Sequence, residues 1–341
     1  MLHIRGLVAL LVATASLGTM SVPAFAQAYP NRPITLICPY PPGGATDAIS
    51  RIMQDSLSKS LGQQIVIENV GGAGGMIAAT KAARAAPDGY TILIHQVALA
   101  AGVTMYKNLS FDAEKDFVTI GLINTAASVW AARADLPPNN MTELVSWMKA
   151  PDRNAKVAHP GVGSFGHLAG VLVAQELGAT VTQVPYRGAG PALNDLLAGQ
   201  VDMSSQSAVQ SGPLIKSGKI KGYAIIGRTR FAGLPDLPTM GELGHKKLEL
   251  DFWHMFLAPA GTPRPIIDRL NAALRESLAD ARVKKTFTDG GMDLFPANQY
   301  TPEAAAALLK SEIKLWGDVI KANNITAVSY THLTLPTNRE V

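Results

Sequence analysis

The 341-residue chain is 47% hydrophobic and 16% charged, with a diffuse formal charge of +4. That composition supports a sizeable core and excludes global disorder, and the length favours two domains over one. No lysine- or arginine-rich run carries the positive excess, which excludes a nucleic-acid footprint.

In chain order, the first feature is a leader. Arg5 precedes the apolar run Gly6–Gly18, and Ala24-Phe25-Ala26 places small residues at a cleavage position, the parts of a signal peptide. The apolar run is shorter than the roughly 20 residues a membrane span needs. Residues 1–26 are therefore expected to be removed, leaving a soluble, exported protein. Cys38 is the single cysteine, so neither an intramolecular disulfide nor a Cys-based metal site is expected. Within the apolar run ITLICPY it reads as a small core residue.

From Ile34 onward, β-rich runs alternate with helical patterns. ITLIC, QIVIENV (64–70) and TILIHQ (91–96) read as strands, with helices after PYPPGGATDA and around IAATKAARAA. Strands separated by helices of about ten to fifteen residues imply βαβ units and a parallel sheet. A second series follows DFVTIGLI: the strands SVWAAR, KVAHP, VTQVPY, VDMSSQ and IKGYAIIG, interleaved with helices. The remainder, from FLAPAGTPRP, is mainly helical and has too few strands for a third domain. It is expected to return and cover the first. A chain that leaves one lobe, builds another and returns leaves a cleft between them, a favoured ligand position. The terminal VSYTHLTLPTNREV breaks all periodicity and is set aside as a non-native tail.

Four strand–turn–helix junctions are glycine-rich: 40–48, 71–79, 161–167 and 186–195. Each exposes free backbone N–H groups at a helix N-terminus, where unpaired donors and the helix dipole both favour an anion. Gly161-x-Gly163-x-x-Gly166 has the dinucleotide spacing. The acid expected about 20 residues later is absent, and Tyr186-Arg187 stands there instead. Arg187 suits a 2′-phosphate, which keeps an NADP-dependent oxidoreductase as an alternative, though an exported chain would find little such cofactor. Asp47 fits either a helix cap or a ligand contact, and His167, opening a helix, fits either a structural or a contacting role.

No catalytic set emerges. Ser164 lies in GVGSFG rather than a G-x-S-x-G elbow, and the histidines show no His-Glu-x-x-His spacing. The aromatic residues of DFWHMF read as core or lobe packing.

The segments YPNRPITLICPYPPGGATDAISR, IENVGGAGGMIAATKAARAAPDGYT, GVGSFGHLAG, VPYRGAGPALNDLLAGQVDM and FLAPAGTPRPIIDRLN together resemble the Bug family of solute receptors of tripartite tricarboxylate transporters. The resemblance spans about Tyr29 to Thr326. It implies a two-lobed α/β Venus-flytrap fold of the periplasmic-binding-protein kind, each lobe a mostly parallel sheet flanked by helices. It implies lobe 1 from residues 27–124 and 229–327, lobe 2 from 125–228, and a tail at 328–341. It also implies a monomer that binds a small organic acid, uses no cofactor and metal, and serves integral-membrane transporter subunits. An exported ligand sensor for a signalling partner would carry the same motifs. Position by position, the first-lobe contacts implied are Tyr40, Pro42, Gly43, Gly44 and Asp47. Those of the second lobe are Gly163, Ser164, His167, Tyr186, Arg187 and Gly188, with Ser205 or Gln206 near the cleft. The lead AHPGVGS and the run MSSQS depart from the family's usual pattern, so the ligand is not inherited from any relative.

Overall fold

The computed structural model describes residues 29–322, 324 and 325; the expected signal peptide and tail lie outside them. The chain first forms β1 (Ile34–Cys38), α1 (Ala45–Leu61), β2 (Ile65–Asn69), α2 (Met76–Ala83), β3 (Thr91–Gln96), α3 (Ala98–Met105) and β4 (Phe117–Ala126). After Ala127 it builds β5 (Ser128–Arg133), α4 (Met141–Met148), β6 (Ala155–His159), α5 (Phe165–Glu176), β7 (Val181–Pro185), α6 (Ala189–Leu197), β8 (Met203–Ser207), α7 (Ala208–Lys216) and β9 (Ile220–Ile226). It then returns through β10 (Phe252–Pro259), α8 (Arg264–Ala279), α9 (Ala281–Asp289), β11 (Met292–Leu294) and α10 (Pro302–Ala322).

Two sheets result, in the orders β11-β4-β10-β3-β1-β2 and β7-β6-β8-β5-β9. Each is flanked by helices and forms one lobe. The sheets are mixed rather than mostly parallel. β1 pairs parallel with β2 and β3, and β6 with β7 and β8. β10 runs antiparallel to β3 and β4, and β5 antiparallel to β8 and β9. The cause is topological. A helical crossover returns the chain to the same end of a sheet and keeps strands parallel. β5 and β10 instead enter their sheets directly from the other lobe, so each starts at the junction and runs away from it.

Both faces of the first sheet are buried, which explains its near-continuous apolar strands. Ile34, Leu36 and Cys38 pack against Ile49, Met53 and Leu57 of α1 and Leu270 and Leu274 of α8. Ile37, one residue out of that alternation, faces the opposite core with Leu93, Met255 and Leu257. In α1 the buried positions Ile49, Met53, Leu57 and Leu61 recur every four residues, one stripe of a helix. Gly62 ends that helix in the left-handed conformation. Burying each such side chain contributes about 1.5–3 kcal/mol. α10 is pinned to the returning strand by one carboxylate: Trp253 Nε1 and Trp316 Nε1 donate to Glu312 Oε2 at 2.8 and 3.0 Å.

Candidate ligand cleft

The parallel strands of both lobes end at the junction, where α/β sheets place their ligands. A cavity of about 60 Å³ lies there. Tyr40, Thr46, Gln96 and Phe252 line it from the first lobe; Ser128, Ser164, Phe165, Ser205, Gln206 and Gln210 line it from the second. The lobes touch around it. Phe165 stacks on Phe252 with ring centroids 4.7 Å apart, and Tyr106 Oη donates to Val162 O at 3.0 Å. Gln210 Nε2 donates to Gly43 O across the same gap.

On the first-lobe wall, Tyr40 Oη donates to Gly74 O at 3.1 Å and accepts from Gln96 Nε2. Gly44 caps α1 without a side-chain bond, leaving the first amides of that helix open toward the cavity. Pro42 and Gly43 are exposed and do not line the wall. Asp47 sits behind it, buried. Its Oδ2 accepts from Gly43 N at 3.0 Å and Arg51 Nε at 2.9 Å, and its Oδ1 from Asn69 Nδ2 at 2.9 Å. Burial opposes its ionisation, yet the bonds from Arg51, Gly43 and Asn69 outweigh that and hold the carboxyl below its ordinary range. Its oxygens are spent on the turn, not offered to a ligand.

On the second-lobe wall, Ser164 is the N-cap of α5 and accepts from His167 N at 3.3 Å. His167 Nδ1 accepts from Gly163 N at 3.2 Å, and His159 Nδ1 from Gly161 N at 3.3 Å. The two imidazoles lie 4.5 Å apart and brace the glycine turn from inside. Burial holds both neutral: His167 falls to about 4, and His159, with His167 adding to the effect, to about 3. Gly163 has φ +81°, a conformation glycine adopts without strain. Tyr186 Oη is bonded to Asp195 Oδ2 at 2.6 Å, Arg187 is exposed, and Gly188 packs on Pro41; none of the three lines the cavity. The geometry weakens the dinucleotide alternative at the second glycine of the motif. The Gly163 amide that would meet a pyrophosphate is already bonded to His167.

Of the residues the sequence singled out, Tyr40, Gly44, Ser164, Ser205 and Gln206 meet at the wall. Thr46, Gln96, Ser128, Phe165, Phe252 and Gln210 were not singled out, although all six line it. Their shared signal is position: each stands at a strand end facing the junction, in a first helical turn, or where a strand starts from the junction.

No described wall residue is ionised. Polarity comes instead from hydroxyls, amides and helix starts. α1 begins on one side, and α5, α6 and α7 on the other, so both lobes aim backbone N–H groups and positive dipole ends inward. Such a wall favours an anion.

The sequence profile described as tripartite tricarboxylate transporter family receptor matches residues 49–325. BugT of Bordetella pertussis is 32% identical over 325 residues, covering 94% of this chain and 97% of its own. Among solved structures, the periplasmic binding protein BugD superposes with a TM-score of 0.84 at 37% identity, covering 87% of this chain and 99% of its own. MatC of Rhodopseudomonas palustris, solved with bound malate, gives 0.82 at 36% identity, covering 86% and 100%.

Proposed function

Because this chain belongs to the tripartite tricarboxylate transporter receptor family, we propose that it captures a small carboxylate-bearing acid between its lobes and delivers it to membrane transporter subunits. On this reading it acts as an exported, monomeric periplasmic protein, matching the leader at residues 1–26. The observation that carries the proposal is the uncharged cleft with helix starts converging from both lobes. The malate held by MatC supports a ligand of this kind.

Affinity follows from several modest contacts. A micromolar ligand needs about 8 kcal/mol of net binding free energy. One helix N-terminus supplies about 0.3–1 kcal/mol, or about 2 when partly buried. About three to five hydrogen bonds to a carboxylate, at about 1.5–3 kcal/mol each, reach that scale before ordering costs are subtracted. They do so only with water excluded, so lobe closure is part of binding and also reports occupancy. Tyr40, Gly44, Ser164, Ser205 and Gln206 are the proposed ligand contacts, with Thr46 beside them. Asp47, Gly163 and His167 act one step back, holding the two turns.

A thermal-shift screen against organic acids tests the proposal. An acid at 100 times its Kd stabilises by about 2.7 kcal/mol, a rise of several degrees. If no mono-, di- or tricarboxylate, aromatic acid or amino acid raises the melting temperature, the receptor reading fails.

A further inference from the structure

The hydroxyl protons around the cleft are not interchangeable, and tracing each one divides the wall into two halves. Thr46 Oγ1 lies 3.1 Å from His254 Nε2. His254 is fully buried and its Nδ1 has no partner. A buried N–H without an acceptor is rarer and costlier than a bare lone pair, so the imidazole proton sits on Nε2 and is donated to Thr46. The Thr46 proton is then left for the cavity. Ser164 Oγ accepts the His167 amide, and its own proton has no acceptor among the described residues. The Phe165 and Gly166 amides beside it open α5 without intrahelical acceptors. This half of the wall donates.

On the other side, the side chains of Ser205 and Gln210 accept. Ser128 Oγ lies 2.9 Å from Gln206 O and 2.8 Å from Ser205 Oγ. A carbonyl cannot donate, so the Ser128 proton goes to Gln206 O and the Ser205 proton to Ser128. Ser205 therefore turns only lone pairs toward the cavity it lines. Gln210 Nε2 is committed to Gly43 O; reversing the amide would set oxygen against oxygen. Gln210 Oε1 is left buried and unpaired.

We propose that the cleft is built for a hydroxy-substituted carboxylic acid: the Thr46–Ser164 side takes a carboxylate, and Ser205 with Gln210 takes the hydroxyl proton. This rests on the receptor reading. An ammonium group would also donate, but no carboxylate stands at the wall to balance its charge. An unsubstituted acid leaves the acceptors bare. Ser128 serves as the positioning residue, since it decides where the Ser205 proton points.

Calorimetric titration with two matched series tests this: succinate, L- and D-malate and L-aspartate, then propionate and L- and D-lactate. In the series that binds, the hydroxy acid should bind on the order of 10- to 100-fold tighter than its unsubstituted partner, which leaves a buried acceptor unpaired. Ser205→Ala and Gln210→Leu should each bring that ratio toward one. Ser128→Ala, which frees the Ser205 proton to point inward, should lower it with Ser205 still present, an effect that loss of packing alone would not give. Circular dichroism checks folding, and Gln210→Leu, at a half-buried position, carries the test if Ser205→Ala does not fold. Equal binding of succinate and malate, or a ratio unchanged in Ser205→Ala and Gln210→Leu, overturns the inference. Preference for aspartate overturns the choice of hydroxyl. Absence of binding by any acid in the wider screen defeats the receptor reading, and this inference with it.

Discussion

Lowering the pH from 7.0 to 5.5 should remove about 5 kcal/mol of folding stability, through four buried histidines at the junction. His95 and His254 lie behind the first-lobe wall and His159 and His167 behind the second, each at most 7% exposed. Burial depresses all four: His95 and His167 to about 4, and His159 and His254 to about 3, with His167 and His95 respectively adding to the last two. Unfolded histidine titrates near 6.5. The folded values are the lower ones, so the unfolded chain takes up protons first. Stability is complete above about pH 6.5 and drains as the pH falls toward the native values. At pH 5.5 each histidine gains roughly 0.9 proton on unfolding, about 3.5 in all, for a slope near 5 kcal/mol per pH unit. That is a large share of the roughly 5–15 kcal/mol that holds a typical protein folded. Urea unfolding followed by tryptophan fluorescence at half-unit pH steps measures the slope directly, and His95→Gln should reduce it by about a quarter. A slope of about 1.4 kcal/mol per pH unit or less, the contribution of a single histidine, would refute the reasoning.

Three other outcomes are expected. Gly74 has φ +62°, and a Cβ there would lie 2.4 Å from Val162 O on the opposite lobe. Gly74→Ala should therefore hold the lobes apart and weaken binding, with a larger radius of gyration in small-angle scattering at saturating acid; scattering identical to wild type would show that the contact does not limit closure. Glu312→Ala strands two buried indole N–H groups, at about 1–3 kcal/mol each, and should lower the urea midpoint sharply, whereas Glu312→Gln keeps an acceptor and should lose less. Equal losses would mean that the carboxylate's charge, not its hydrogen bonding, matters. Cys38 is fully buried, and burial pushes its thiol up to about 11. It should resist iodoacetamide at pH 8 in the native protein and react once the protein is unfolded; native labelling would contradict its placement.

The strand-and-helix order was largely legible because buried strands are apolar runs and the turns between them carry glycine. α3 escaped notice for a physical reason. ALAAGVTM is apolar apart from Thr104, even at the exposed Val103, and so has no helical stripe to detect. β10 was hidden by Asp251 and His254, polar residues that mark the junction rather than a strand end. At the site, the glycine turns were visible but side-chain direction was not. Thr46 and Asp47 are neighbours about 100° apart around one helix, and only the first reaches the cavity. His167 turns back to its own loop instead of outward. Gln96, Phe252 and Gln210 come together from three distant segments, a convergence that local pattern does not encode.

The placement of β10 also sets an order of assembly. It is the strand that joins β3 to β4, yet it follows β3 by more than 150 residues of chain. Until it arrives, the first sheet is two unconnected pieces with open edges, whereas all five strands of the second sheet lie between Ser128 and Ile226. Closing so long a loop carries an entropic cost that local contacts do not repay. The second lobe is therefore expected to fold alone and early, and the first to be sealed last. Phe252, the residue that opens β10, lines the cleft. The step that completes the fold is thus the same step that completes the binding site, and a folding intermediate lacking one lacks the other.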